Sequence, residues 1–111
     1  MSQLKTSSFL IALVSGLLLA LPVSAEIDPE AVFKENDCHK CHHATKAKKG
    51  PSLAKISTRY KEKNLDEKEA IKHMTSGNKV KLEDGSEEKH KIIETKDTAV
   101  QMAVAKWILN R

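Results

Sequence analysis

Apolar residues follow two unlike patterns along the 111-residue chain. From Phe9 to Leu21 they run on with only Ser15 and Gly16 between them. After Glu26 they recur in short runs of one to four, at helical spacing, among charged residues. Asp28-Pro29-Glu30 predicts a helix start, with Asp as N-cap, Pro at the first helical position and an acid in the first turn. Val32 and Phe33 form the apolar side of that helix, which should end near Asn36. Ser52 predicts a second helix carrying Leu53, Ala54, Ile56 and Tyr60. Asn64 or Asp66 can cap a third, with Leu65, Ala70, Ile71 and Met74 to one side and a stop at Gly77-Asn78. Residues 78–94 read as a long charged loop that turns at Asp84-Gly85. The last helix begins near Thr95 or Asp97 and places Val100, Ala103, Val104, Trp107 and Ile108 at helical spacing. The expectation is an all-α chain of four or five short helices without strands.

Composition explains the two patterns separately. Residues 1–25 hold one charged side chain, Lys5, and end in Val23-Ser24-Ala25. A short basic start, an apolar run too short to span a bilayer and a small-residue cleavage site make a secretory signal peptide, cleaved after Ala25. The expected location is therefore the periplasm, with no membrane span once the leader is removed. Residues 26–111 form one domain of 86 residues with 18 basic and 15 acidic side chains, net +3. Mixed charge and scarce aromatics argue against a nucleic-acid binder. The thin apolar content calls for a staple such as a disulfide, a metal or a cofactor.

Cys38-His39-Lys40-Cys41-His42 supplies one. Two thiols three positions apart on a helical turn can add to the two vinyl groups of one haem, and the histidine after the second cysteine can then ligate the iron. Three other readings compete: a disulfide in an oxidising compartment, a thioredoxin-type pair, which wants a βαβ context that is missing, and a zinc site with His39, His42 and His43. The export signal, the absence of any other cysteine and the thin core favour haem c. No acid–base pair or nucleophile constellation accompanies the motif, so the chain is not expected to be an enzyme.

The chain resembles the small bacterial class I (monohaem) cytochromes c. The resemblance is carried by residues 28–34, Cys38 to His42, Gly50-Pro51 and residues 105–109, in that order. It implies a compact fold around one covalent haem, with the first and last helices crossing and Phe33 meeting the Ala103–Trp107 face. Trp107 is then a core residue. Pro51 should accept a hydrogen bond from Nδ1 of His42, and Gly50 should let the backbone pass close to the haem.

The family's usual distal methionine, followed by prolines, has no counterpart in residues 78–94. Met102 lies inside the last helix, and Met74 ends the helix before the loop. His90 stands 17 residues before Trp107, close to the family's ligand-to-Trp separation. His90 is therefore the expected sixth ligand opposite His42, with Met74 or an open position as alternatives and His73 in reserve. His43 cannot reach the other haem face, and His39 should face solvent. Arg59 or a loop lysine is expected at the propionates, and Lys81 to Glu88 reads as extra length in the distal loop. Bis-histidine ligation implies a low-potential electron carrier. A gas-binding or redox-sensing module with a displaceable distal ligand is the alternative. Redox proteins are the expected partners, with an acidic docking face if Lys40, Lys46, Lys48 and Lys49 ring the haem edge. The chain would act as a monomer or as a subunit of a haem-protein complex.

Overall fold

The computed structural model describes residue 2, residues 11–17 and residues 26–111. Lys5 and the expected cleavage site Val23-Ser24-Ala25 lie outside them. Of the apolar run from Phe9 to Leu21, Ile11, Leu13, Val14 and Leu17 are described, and all four are strongly exposed. No helix among the described residues is long and apolar enough to cross a membrane.

Each helix starts where a short polar side chain takes up backbone N–H groups that the helix leaves unpaired. Helix α1 (Pro29–Glu35) is capped by Asp28, which accepts from Glu30 N at 3.1 Å and Ala31 N at 3.2 Å. Ser52 caps α2 (Leu53–Glu62) by accepting from Lys55 N at 3.1 Å. Asp66, not Asn64, caps α3 (Glu67–Ser76). Asn64 instead turns the chain between α2 and α3 with φ of 53°. Gly77 ends α3 in the left-handed conformation, φ 65°, which costs glycine little. Asp97 caps α4 (Thr98–Leu109) through Ala99 N at 2.9 Å.

Helix α4 packs against α1, α2 and α3. Phe33, Leu53, Ile93, Val104 and Ile108 form the buried cluster, and Ala105 is fully buried. The Phe33 and Trp107 rings lie 5.2 Å apart and are inclined at 58°, an edge-on contact that joins α1 to α4 as the resemblance implies. Trp107 is a packing residue here, as expected. The buried Ser57 hydroxyl donates to Leu109 O at 2.8 Å and ties α2 to the end of α4.

The all-α expectation needs one correction. Strands β1 (Lys79–Lys81) and β2 (Glu87–Lys89) form an antiparallel ribbon within the segment read as loop. The Asp84-Gly85 turn is where the sequence puts it: Gly85 has φ 87°, and Asp84 accepts from the backbone and hydroxyl of Ser86. The strands are three residues each, and Lys79 faces Lys89 directly, a like-charge pair that weakens the ribbon. A two-stranded ribbon is marginal alone. This one is also held by half-buried Val80 and Leu82 and by Glu83 N, which donates to Lys49 O at 2.9 Å.

Candidate functional site

Between α1 and the Cys-x-x-Cys-His motif, Asp37 takes φ of 60°, a conformation Asp tolerates better than most residues. The chain then winds into a 3-10 turn, Cys38–Lys40. His42 N closes onto Cys38 O at 3.0 Å, bringing both thiols and the imidazole to one turn. Both cysteines are free and half-buried. Burial, with a smaller push from Asp37, raises the Cys38 thiol above its ordinary range.

The loop after His42 folds back on the motif. Gly50 N donates to Cys41 O at 3.0 Å, and Leu53 N to His43 O at 2.9 Å. Nδ1 of His42 lies 2.7 Å from Pro51 O. A carbonyl only accepts, so Nδ1 carries the proton and Nε2 keeps a free lone pair. That meets the expectation for Pro51.

Gly50 also makes room for the imidazole of His42. It is buried against His42, and a Cβ there would stand 2.9 Å from His42 Cε1 and 3.2 Å from its Nδ1. Gly50→Ala should therefore displace the imidazole and lengthen its bond to Pro51. We expect a loss of about 1–3 kcal/mol, typical of overpacking, with an altered optical spectrum of the holoprotein. Unchanged spectra and an unchanged denaturation midpoint would contradict this.

The other histidines divide by position. His43 Nδ1 accepts from Thr45 N and Lys46 N, both at 3.1 Å, and so organises the basic loop. His39 is half-buried, and its Nδ1 has no hydrogen-bond partner among the described residues, which corrects the expectation that it faces solvent. His90 follows β2 and is half-buried, its backbone N–H donating to Asn78 O at 2.9 Å. The His42 and His90 ring centroids lie 6.1 Å apart, with planes inclined at 43°. Burial, then His73 and His42, push the His90 imidazole down to about 4, so it is neutral at neutral pH. His73, on α3, lies 4.3 Å from His90 centroid to centroid.

These groups surround a cavity of about 400 Å³. Cys38, Cys41, His42, Pro51, His73, Met74 and His90 all line it, with Phe33, Leu53, Ile56 and Ile108 among the apolar residues. Met102 does not, in keeping with its place inside α4. Arg59 also lines the cavity, joined by Tyr60 and Lys63, which sequence reasoning did not single out.

The fold and this donor set define a haem protein of the c type. The cytochrome c family model matches residues 29–110, and the chain belongs to that family. Among solved structures it is similar to the class 1 cytochrome MtoD from Sideroxydans lithotrophicus ES-1, with 38% identity and a TM-score of 0.67 over 77% of this chain and 97% of that one. A comparison with curated protein sequences gives no match. The family implies a covalently bound haem c, and the residues present fit it: two thiols three positions apart, an imidazole with a free nitrogen, and a largely apolar cavity between them.

Two structural residues escaped the sequence reading. Asn36 donates to Val32 O at 2.8 Å and accepts from Glu94 N at 3.0 Å, pinning the segment before α4 to the end of α1. Asp37 pairs with Lys40 at 3.2 Å and Lys91 at 3.5 Å, linking the thiol turn to the residue after His90. Their sequence signal is weak, since an Asn-Asp pair marks a turn but not the partner it will meet.

Proposed function

We propose that this chain is a periplasmic electron carrier. In this reading Cys38 and Cys41 hold haem c through thioethers, and His42 and His90 supply the two axial nitrogens. Residues 1–25 direct export and are removed after Ala25. When bound, the haem supplies a one-electron iron couple.

The observation that carries the axial pair is the 6.1 Å between the His42 and His90 rings. Two metal–imidazole bonds of ~2.0–2.1 Å, plus ~1.1 Å from each nitrogen to its ring centre, give ~6.3 Å. The proximal imidazole is oriented by Pro51 O, which also raises its basicity. His90 is held neutral by burial, so its lone pair is available. With both imidazoles engaged no coordination position is left for a substrate, which agrees with a carrier and not an enzyme. The ribbon's tie to Lys49 and the Asp37–Lys91 pair restrain the distal segment and favour the carrier over a gas sensor.

Thioether ligation raises the potential of such proteins, and a second imidazole lowers it. A potentiometric titration followed optically should give a midpoint below that of methionine-ligated class I carriers, with no thioether-to-iron band. A midpoint within their range would overturn the axial assignment. Docking falls to the exposed lysines around the motif. Lys40 pairs with Asp37 and Lys48 donates to His39 O, whereas Lys46 and Lys49 form no ion pair among the described residues. These two suit an acidic partner, whose association would slow with salt.

A further inference from the structure

We propose that the distal side carries two interchangeable imidazoles, with His73 standing behind His90 as a second ligand that takes its place at the iron. The inference rests on the reading of His90 as the distal ligand.

Position comes first. His73 and His90 line the same cavity, and their ring centroids are only 4.3 Å apart, inclined at 54°. A second cavity of about 180 Å³, lined by Tyr60, Glu69, Ser76 and others, also borders His73.

The two imidazoles are also held differently. His42 is locked by Pro51 O, but His90 Nδ1 is buried with no hydrogen-bond partner among the described residues. No neighbour therefore fixes the His90 ring as Pro51 fixes His42. His90 also belongs to the segment after the ribbon, whereas His73 is part of α3.

Met74 is the competitor, because it also lines the cavity. Its side chain, however, packs against the Phe33–Ile108 cluster, and turning it to the iron would break that packing. His73 is an exposed residue, so recruiting it costs no core contact.

The test uses holoprotein variants with optical and electron-spin spectra and carbon monoxide uptake by the reduced form. His90→Ala should remain low-spin and six-coordinate, with slow uptake. His73→Ala/His90→Ala should become high-spin and take up the gas at least ~10-fold faster, since uptake scales with the fraction of open iron. His73→Ala alone should keep the wild-type spectrum.

Three results would overturn the inference: His90→Ala already matching the double variant in spin state and rate, His90→Ala showing a thioether band that Met74→Leu abolishes, or His73→Ala alone opening the iron, which would reverse the two roles. Failure of the underlying reading looks different: a thioether band in the wild-type protein removes His90 itself from the iron.

Discussion

Replacing both attachment residues, Cys38→Ala/Cys41→Ala, should give a chain that binds no haem covalently and does not fold stably. The described residues bury seven apolar side chains, two of them alanines. That core surrounds a cavity of about 400 Å³. Left unfilled and dry, such a volume would cost ~10 kcal/mol at ~24 cal/mol per Å³. Solvent entry makes this an upper bound, yet it rivals the whole stability of an ordinary domain, ~5–15 kcal/mol. The haem is therefore as much a core residue as Phe33. Haem staining after denaturing electrophoresis should be lost, and far-UV circular dichroism should show little helix. A variant that keeps wild-type helicity without the cofactor would show that the peptide core suffices.

The two sides of the site are built to different stiffness. On the proximal side, hydrogen bonds from Gly50 N, Leu53 N and His42 N fix the backbone, Pro51 O fixes the ring, and a glycine is required to make room for it. On the other side the ribbon, the bond to Asn78 O and the Lys91–Asp37 pair hold the backbone at His90, but no hydrogen bond fixes its ring, and a second imidazole lies beside it.

Legibility in the sequence followed the range of the interaction. All four helix starts could be read, because Asp28, Ser52, Asp66 and Asp97 act on N–H groups two or three residues away. The thiol turn could be read for the same reason. The ribbon could not. Its turn residues were visible, but strands of three mostly charged residues have no apolar alternation to betray them, and what holds them is contact with Lys49 and the cavity. The contact of Gly50 with His42 could not be read, because a glycine announces close approach without saying to what. The expectation for His90 rests only on its spacing from Trp107 in the family's pattern, and nothing in the sequence says that His73, 17 residues earlier and held in reserve, lies 4.3 Å from it.

Phe33→Ala should be the most damaging single substitution away from the cofactor's own ligands. Helix α1 has seven residues, far below the ~12–15 at which an isolated helix becomes even marginal in water. It stands because it is packed, and Phe33 is its one buried side chain. Truncating a buried phenylalanine costs about 3–5 kcal/mol, and here the edge-on contact with Trp107 goes with it. For a urea slope of about 1–3 kcal/mol per M, the midpoint should fall by roughly 2 M. Because α1 leads through Asn36 and Asp37 directly into Cys38, the loosened helix should also reduce the yield of haem attachment. The contrast is Lys34→Ala on the same helix. Its pair with Glu30 at 3.2 Å is well exposed on both sides, and losing it should cost only about 0.3–0.5 kcal/mol. If the two variants unfold at the same urea concentration, α1 is not held by its apolar face, and the packing of the first helix on the last does not organise this fold.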